Sequence, residues 1–466
     1  MQTAAMLTKT VGPKKSAPQT RTSPMRSEPK KIVFDLTEVL RASTGKLRYY
    51  GIARVTAEIG SELRKLNTEV RFCVHSPSLD TFFEVFPDVN PDGTVDLNVP
   101  TGIAERSVRP RALREGGFVK RLSMRALRRA RAFWGQREWR RAGIKLPELD
   151  LNDATLVTCA RPKLIVEYLQ TIKTRNSRTC LVPLLHDMIP LHDLQQEGRS
   201  LFSSNFLFDN RDVIHAASMV LTNSLFTMGD VQAFSESGVL PKLPAMAAIP
   251  LVHECPLGTE LSEGPAPEEP YILTVGAATG RKNLEAVFEA FLRLKREDRA
   301  VPLCVLAGAP RKRTLKVLSL DRYAAIRDRF VVRANPNQTD LVALYTGAVA
   351  LVIGSRMEGW GLPAGEALWL GTPAICSTAP VFKEVCGDLG LYFDPDNPRE
   401  LASHISQLMH NDEFRETHRA KIRDAKPKLR TWKHVASDLM AAVVASGQQP
   451  VEDSVVSREN NSKSVA

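Results

Sequence analysis

The segment 356–373 holds the residues of this chain that are best suited to binding a polar ligand. Glu358 and Glu366 stand eight positions apart, with Gly359 and Gly361 between them. The glycines permit a tight turn and leave room for a ligand to approach the main chain. Carboxylates only accept hydrogen bonds, so a pair of them suits a ligand rich in hydroxyl groups, such as a sugar or a ribose. Such a pair can also act in general acid/base catalysis.

A short helix is expected directly after this loop, over residues 363–370. It would begin at a proline, and it would end where Gly371 can take the left-handed stop conformation and Pro373 bars continuation. Glu358 would then lie in the loop and Glu366 in the first helical turn. The helix N-terminus would point at the ligand, which favours a phosphate or a sugar hydroxyl. The alternative is that Glu366 only complements the helix dipole and that Glu358 is a solvated loop residue.

The residues before the loop favour the ligand-binding interpretation. The apolar run 348–353 is short and bounded by turn residues, which indicates a buried parallel strand. Open α/β sheets bind their ligands just beyond the carboxyl ends of such strands. The two glutamates are therefore expected at a ligand site.

With these residues, the chain resembles the family 4 retaining glycosyltransferases. Their signature is roughly Glu-Gly-Phe-Gly-Leu-Pro-x-x-Glu-Ala, and residues 358–367 match it with Trp360 at the aromatic position. Residues 271–276 and 280–283 resemble the family's donor strand, Gly-rich turn and Arg-Lys-Asn group, which grip the donor diphosphate. Further pieces fall in the family order within residues 270–405, namely 341–345, Ser355, 381–384 and Asp394-Pro395.

The resemblance implies an α/β protein of GT-B architecture, in which two Rossmann-like parallel-sheet domains face each other across a cleft. It also implies a retaining, metal-independent hexosyltransferase that moves a sugar from a nucleoside diphosphate donor to an acceptor hydroxyl. GDP-mannose is a frequent donor in related branches, and polysaccharide assembly on a lipid carrier is a frequent setting. A saccharide or a lipid-linked saccharide is therefore the expected acceptor.

The same resemblance implies roles for single residues. Lys282 and Arg281 would stabilise the leaving diphosphate, in place of the Mg²⁺ that serves elsewhere. Glu358 would hold the donor sugar and Glu366 the ribose hydroxyls. No nucleophile is assigned, because the family is generally thought to use front-face attack. The other expected donor contacts are Gly276, Asn283, Ser355, Gly359, Trp360, Gly361 and Leu362.

Two further features are expected on the opposite side of the cleft. His186 and Asp187 resemble the His-Asp-x-Ile-Pro segment of one branch, where the histidine lies across from the donor sugar, so His186 is expected to contact donor or acceptor. Asp187 would fix the histidine tautomer or meet the acceptor, and a structural histidine is the alternative. The loop 45–51 ends at Gly51, which with Arg54 is expected on the acceptor side. A plain turn is the alternative for that loop.

The sequence departs from the family pattern at three places. Ala277 stands where some relatives have an arginine, which leaves Arg281 as its substitute. Gly354 stands where the family often has a proline. The Asn-Gly pair that commonly marks the interdomain crossing is absent from residues 248–253. The departures bear on how the donor is held and leave the key charges in place.

Length and pattern predict two domains with tails. At 466 residues the chain exceeds what one core supports, and strands alternate with helices in both halves, which predicts parallel sheets. The predicted units are a disordered basic tail 1–30, a Rossmann-like acceptor domain 31–262, a Rossmann-like donor domain 271–425, a C-terminal helix 426–446 and a disordered tail 447–466. The N-terminal strands are predicted at 31–35, 70–74, 154–158, 179–185 and 219–222, with a helix at 51–63.

Composition favours a globular cytoplasmic protein. Charged residues make up 25% and hydrophobic ones 43%. No apolar run approaches the roughly 18 residues of a membrane span, and no signal peptide is apparent. Seven scattered cysteines without a Cys-x-x-Cys pair indicate reduced thiols. No metal ligands and no cofactor are predicted, since no His or Cys cluster has ligand spacing.

The basic charge is concentrated in residues 101–145. This segment has 14 Lys and Arg against 3 Glu, which equals the net charge of +11 for the whole chain. Residues 118–139 interleave arginines with apolar side chains, as in an amphipathic helix or helix pair. Such a helix indicates an anionic membrane surface as partner, here the inner face of the cytoplasmic membrane. The alternatives are a solvated helix packed on its own domain and, least favoured, nucleic acid.

Two other functions compete with the transferase. A phosphorylase or a sugar-nucleotide epimerase of similar architecture would also bind phosphate and sugar. A catalytically inactive scaffold would bind membrane or nucleic acid through residues 101–145. A scaffold has no need of the paired glutamates and of Lys282, which is the feature that favours an enzyme.

Overall fold

The structure is a computed structural model that describes most of the chain. The described residues are 31–42, 51–66, 69–103, 105, 108, 117–196, 201–258, 264, 266–276, 278–308 and 312–448, and the side chains of 196, 201–203 and 446–448 are not described. Both predicted tails lie outside them, apart from the backbone of residues 447–448. So do residues 43–50 of the expected acceptor-side loop, and Ala277.

The N-terminal half is built on a seven-stranded sheet in the order β3-β2-β1-β6-β7-β8-β9. All neighbours are parallel except β2 and β3. The strands are β1 Lys31–Asp35, β2 Arg71–Ser76, β3 Thr81–Val85, β6 Ala154–Thr158, β7 Cys180–Leu185, β8 Met219–Thr222 and β9 Ala245–Ala248. A separate small ribbon pairs β4 Asp88–Val89 with β5 Val95–Asp96. The five predicted strands are confirmed, with ends shifted by at most two residues.

The C-terminal half is built on a six-stranded, fully parallel sheet in the order β12-β11-β10-β13-β14-β15. Its central strands are almost wholly buried because helices cover both faces, which explains their continuous apolar sequence. The strands are β10 Tyr271–Val275, β11 Leu303–Ala307, β12 Phe330–Arg333, β13 Ala350–Ile353, β14 Ala374–Ser377 and β15 Gly390–Phe393.

Helices connect the strands of both sheets. They are α1 Thr37–Ala42, α2 Ile52–Leu66, α3 Phe118–Ala142, α4 Pro162–Arg175, α5 Ile189–Gln196, α6 Leu201–Ala216, α7 Leu225–Glu236, α8 Leu284–Arg296, α9 Lys312–Leu318, α10 Gln338–Gly347, α11 Leu362–Trp369, α12 Pro380–Cys386, α13 Pro398–His410, α14 Asp412–Ala425 and α15 Trp432–Gln448. Short 3₁₀ segments lie at Gly280–Lys282, Asp321–Arg329, Gly387–Leu389 and Lys426–Lys428.

The helix of the glutamate motif forms almost as predicted. It spans Leu362–Trp369, and Gly371 takes the left-handed conformation at φ 81°. Because the helix begins at Leu362, Pro363 is its second residue and Glu366 lies in its second turn. The predicted start of the helix was wrong by one residue, which moves Glu366 from the end of the first turn to the beginning of the second.

The C-terminal helix differs from its prediction in position and in partner. It begins at Trp432, after a 3₁₀ segment, whereas the sequence predicted 426–446. It packs on α2 of the N-terminal half, with Trp432, Val435 and Leu439 buried. The chain therefore crosses between the halves twice, and burial of this apolar face fastens them together.

The basic segment forms one long helix rather than a pair, spanning Phe118–Ala142. Among the described residues no helix is both long and apolar enough to cross a membrane.

Candidate active site

The carboxyl ends of both sheets face a common cleft. A cavity of about 920 Å³, counted with its open mouth, lies between the residues that follow β7 and β8 on one side and β10 and β13 on the other. Parallel strands leave their loops and helix starts at this end, so the topology brings many polar side chains to one place.

Lys282 and Glu358 meet at the wall of this cavity. Lys282 Nζ donates a hydrogen bond to Glu358 Oε1 over 2.5 Å. Arg281 Nη1 donates to the carbonyl oxygen of Met357 over 2.6 Å and lies 3.8 Å from Glu358 Oε2. The Lys282 side chain is 33% exposed and that of Arg281 is 37% exposed. Both cations therefore remain accessible to an anionic ligand while they hold the carboxylate in position.

Asn283 sets the direction of the segment that carries these cations. Its backbone is left-handed, at φ 49° and ψ 44°, and its Nδ2 donates to the Pro395 carbonyl over 2.9 Å. The helix α8 starts at the next residue, Leu284, which lines the cavity. A Cβ on Gly354 would stand 2.8 Å from the Asn283 carbonyl oxygen. This close approach explains why glycine occupies a position where a proline was expected.

Gly359 joins the glutamate loop to the N-terminal half. A Cβ at this position would stand 1.9 Å from the carbonyl oxygen of His186, so only glycine fits. Ser224 Oγ donates to the Gly359 carbonyl over 2.7 Å. The neighbouring Trp360 donates from Nε1 to the Val252 carbonyl over 3.0 Å. The loop is thus held against the opposite half on both sides of this glycine.

Glu366 is fully engaged by protein groups. Arg54 Nη1 donates to Oε1 over 2.6 Å, and the Tyr345 hydroxyl donates to Oε2 over 2.8 Å. The residue is only 2% exposed. Burial alone would lower the pKa of Arg54, but the Glu366 and Glu58 carboxylates raise it. The contact is therefore a buried ion pair between the two halves.

His186 lines the cavity, and one of its ring nitrogens is held by the main chain. Its Nε2 lies 2.7 Å from the Cys159 carbonyl oxygen, which can only accept, so Nε2 carries the proton and Nδ1 is left as an acceptor. Burial lowers the pKa of His186, which keeps the ring neutral at physiological pH. The tautomer is set by this carbonyl group and not by Asp187.

Asp187 faces the cations across the cleft. Its Oδ1 accepts a hydrogen bond from the Ile189 amide at the start of α5, over 3.2 Å. Burial raises the pKa of Asp187, and the charges of Arg281 and Lys282 partly oppose that rise. The Asp187 carboxylate therefore lies within electrostatic reach of Arg281 and Lys282.

Two residues at the cleft, Asn223 and Ser224, were not found from the sequence, and Glu384 of the family segment 381–384 was given no role. Asn223 lines the cavity and is 4% exposed, and its buried Oδ1 accepts no hydrogen bond from the described residues. Ser224 holds Gly359, as described above, and caps α7. Glu384 accepts hydrogen bonds from the Leu225 and Phe226 amides at the start of α7, over 2.8 and 3.2 Å. The available signal was the Thr-Asn-Ser run directly after a predicted strand.

The predicted site residues divide into two groups. Most of them line the cavity: Gly51, His186, Asp187, Lys282, Asn283, Ser355, Glu358, Gly359, Trp360, Gly361 and Leu362. Gly276, Arg281, Glu366 and Arg54 are not part of the lining. Gly276 is the exposed turn residue after β10, and Glu366 and Arg54 form the buried ion pair. Across the described residues, no cluster of His, Cys, Asp and Glu is arranged to hold a metal ion.

Comparison with known proteins links this geometry to sugar transfer. Residues 261–425 match the family model described as glycosyl transferases group 1. O-antigen chain mannosyltransferase B of Escherichia coli is 31% identical over 146 residues, which are 31% of this chain and 38% of that protein. O-antigen chain mannosyltransferase RfbU of Salmonella typhimurium is 32% identical over 145 residues, 30% of this chain and 39% of that protein. The chain thus spans about two fifths of the length of these relatives.

The fold has a wider match than the sequence. Sucrose-phosphate synthase from Thermosynechococcus elongatus superposes with a TM-score of 0.59 at 17% identity, and the match covers 89% of this chain and 99% of that one. This likeness confirms the α/β architecture with two parallel-sheet domains. Residues 261–425 are therefore similar to the glycosyl transferases group 1 family, within a chain of two parallel-sheet α/β domains.

Proposed function

We propose that this protein transfers a mannosyl residue from GDP-mannose to a hydroxyl group of a saccharide or lipid-linked saccharide, with retained anomeric configuration, in polysaccharide assembly. The observation that carries the proposal is the cleft itself, where Lys282 lies across a cavity of about 920 Å³ from His186 and Asn223. Arg281 lies next to this wall, with its Nη1 3.8 Å from Glu358 Oε2. Cations on one wall suit a diphosphate, and neutral acceptors on the other suit sugar hydroxyls. The choice of mannose as the transferred sugar and of polysaccharide assembly as the setting is supported by the similarity to two O-antigen mannosyltransferases.

The leaving diphosphate would bind beside α8. When the glycosidic bond breaks, negative charge grows on the phosphate oxygen, and Lys282 and Arg281 are already positioned to meet it. The first residues of α8 and α11, Leu284 and Leu362, line the same cavity, so the positive ends of two helix dipoles add to the field. Glu358 would give up its contact with Lys282 to the phosphate and accept hydrogen bonds from the sugar.

The sugar would bind between Glu358 and the N-terminal wall. His186 Nδ1 and Asn223 Oδ1 are acceptors without a proton to give, so each suits a donor-sugar hydroxyl. A site built to hydrogen-bond such hydroxyls rejects sugars that lack them. Asp187 would meet the acceptor saccharide, since it faces the cations without bonding to His186.

In the transfer step, the bond between the anomeric carbon and the diphosphate oxygen breaks. The acceptor hydroxyl oxygen forms its bond to that carbon on the same face, and its proton passes to the departing diphosphate oxygen. Glu366 would hold the ribose with the acceptor capacity that Arg54 and Tyr345 leave on its two oxygens, since a carboxylate has about four lone-pair directions.

A donor and product assay with the full chain tests the proposal. The purified protein is incubated with GDP-mannose, UDP-glucose or ADP-glucose and a panel of fluorescent mono- and oligosaccharides, with and without EDTA, and products are separated by mass. We expect a mannosylated product from GDP-mannose, insensitive to EDTA and absent with Lys282→Ala. We also expect GDP-mannose to raise the melting temperature. At 100 times its Kd, the ligand should add about 2.7 kcal/mol to the free energy of unfolding.

Three outcomes would contradict the proposal in whole or in part. Consumption of a nucleotide sugar without any glycosylated product would favour an epimerase or phosphorylase. Absence of both a product and a thermal shift with all three donors would favour a non-catalytic protein. A product of inverted configuration, read from the anomeric coupling in an NMR spectrum, would exclude the retaining mechanism.

A further inference from the structure

The helix α3 projects a surface that the proposed reaction does not use. Most side chains of its first half, residues 118–130, are exposed, including Phe118 at 72% and Val119 at 79%. Leu122, Phe133 and Trp134 are each more than half exposed. We call these five residues the apolar stripe of α3. Large apolar side chains grouped at this exposure usually mark an interaction site.

Only one side of α3 rests on the protein, and it does so near the C-terminal end. Trp139 is buried and packs on Phe83 of the edge strand β3, with ring centroids 5.0 Å apart. A Cβ on Gly135 would stand 2.7 Å from Ser78, so the backbone itself approaches the β2–β3 turn. Gln136 Nε2 donates to the Ser78 carbonyl over 3.0 Å. These contacts fix the rotation of the helix.

That rotation turns the apolar stripe away from the body. At 100° per residue, Phe133 lies about 160° around the helix from Gly135. Phe118, Leu122 and Phe133 follow one line along the helix, with spacings of four and eleven residues. The stripe is therefore a surface of the fold and not a frayed end.

The charge on α3 restricts what could cover this stripe. Phe118–Ala142 contains nine Lys and Arg and one Glu, a net charge of +8. Arg125 and Arg129 lie on the same line as Phe118, Leu122 and Phe133, and Arg137 lies beside it. All three arginines are exposed. A second copy of the chain would bring the same positive face and be repelled. Nucleic acid would satisfy the charge but leaves the aliphatic Val119 and Leu122 without a partner.

We propose that α3 docks on an anionic lipid surface, with the apolar stripe in the acyl boundary and the arginines at the headgroups. Exposed apolar residues interleaved with arginines suit this interface, because the long arginine stems lie along apolar surface while the charged heads reach the headgroups. Each cation near an anionic bilayer adds to the attraction. The anchor at Ser78 follows the carboxyl end of β2, the same end of the sheet that carries His186 and Asn223. Docking therefore brings the cleft side of the N-terminal half toward the bilayer.

Vesicle flotation of the full chain tests the docking. Wild type and variants are mixed with phosphatidylglycerol-containing vesicles or with neutral phosphatidylcholine vesicles. We expect wild type to float only with the anionic vesicles. The variant Leu122→Ser/Phe133→Ser removes apolar contact without changing the charge, and Arg125→Glu/Arg129→Glu reverses charge. Each should reduce the floated fraction about tenfold or more.

A matched control and a spectroscopic signal accompany the flotation. Lys295→Glu/Arg296→Glu reverses two exposed charges at the end of α8 and should float like wild type. Tryptophan emission should shift to the blue on anionic vesicles, and Trp134→Ala should remove that shift. Circular dichroism identifies any variant that has lost its fold, and such a variant is replaced by the next pair along the stripe, Phe118→Ser/Val119→Ser.

Three results would overturn the docking proposal. The first is equal flotation of wild type and the apolar-stripe variants. The second is equal reduction by the α8 control, which would mean an effect of net charge alone. The third is tighter binding to a generic RNA or DNA duplex that the charge variants abolish and the apolar variants leave intact. None of these measurements depends on mannosyl transfer, which is assayed separately with a water-soluble acceptor. The docking proposal and the proposed function can therefore fail separately.

Discussion

Arg54 and Glu366 join the two halves of this protein through a buried ion pair, with 2.6 Å between Arg54 Nη1 and Glu366 Oε1. Arg54 lies on α2 of the N-terminal half, and Glu366 lies on α11 of the glutamate motif. The Tyr345 hydroxyl occupies the other carboxylate oxygen. The second glutamate of the motif therefore has a positioning role between domains, in addition to any contact with the ribose.

Loss of Arg54 should destabilise the fold. Arg54→Met keeps the apolar stem but leaves Glu366 as a buried charge without its cation, which costs about 3 kcal/mol. Urea unfolding monitored by fluorescence measures this. Adding Glu366→Gln to the same variant removes the unpaired charge and should recover part of the loss. An unchanged midpoint in the single variant would mean that the pair is not formed in solution.

Removal of Lys282 should impair the reaction and not the fold. Lys282→Ala deletes a cation that meets the leaving phosphate, so kcat/KM should fall by about 10²- to 10³-fold. The control is Lys295→Ala, an exposed lysine in the last turn of α8, which should keep full activity. Equal activity of the two variants would exclude Lys282 from the site.

Asn223 should affect the kinetics of the reaction and not the stability of the fold. In Asn223→Ala the donor-sugar hydroxyl loses its acceptor, which lowers kcat/KM by about 10- to 100-fold. Stability should change little, because Oδ1 makes no hydrogen bond with the described residues that the substitution would remove. Steady-state kinetics and thermal melting separate the two effects. Loss of stability with unchanged kinetics would assign Asn223 a structural role.

Gly359 should tolerate no side chain. In Gly359→Ala the new Cβ would clash with the His186 carbonyl, so the halves must separate or the loop must move. We expect an increased radius of gyration in small-angle scattering and loss of donor binding. The control Gly229→Ala lies within α7 where a Cβ meets no atom within 4 Å, and it should be stabilising by about 0.5–1 kcal/mol. Wild-type dimensions and donor affinity in Gly359→Ala would refute the close approach.

His75 should make stability depend on pH. Burial lowers the pKa of His75 to about 3, with the nearby Arg41 charge adding to the effect. The unfolded chain binds a proton near pH 6.5, whereas the native protein does not until the pH is far lower. The stabilisation is therefore complete above pH 6.5 and is lost as the pH falls toward 3.

The comparison of His75→Gln with wild type isolates this contribution. Glutamine keeps a partner for Thr171, to which His75 Nε2 lies within 3.1 Å. Between pH 6.5 and pH 5, wild type should lose about 2 kcal/mol more than the variant. Parallel pH profiles from urea unfolding would contradict the prediction.

Much of the fold could be predicted because its signals are local. Each strand carries its own apolar run, and the helix after Gly361 carries its own start and stop residues, so element types and the parallel topology follow from neighbouring residues. The family pattern extended this to about half of the cavity lining, including Lys282 and Glu358. The error of one residue in the position of Glu366 arose because the helix begins before its proline.

What the sequence alone determined is the five predicted N-terminal strands, the strands β10 and β13, the glutamate loop after β13 and the cationic turn after β10. The tertiary structure alone decided which groups meet across the halves. Arg54 reaches Glu366 over a separation of 312 residues, Gly359 abuts the carbonyl of His186, and α15 packs on α2. No local pattern encodes these contacts, because they depend on how two separately folded sheets dock. Docking alone brings Glu358 and Lys282 opposite His186 and Asn223.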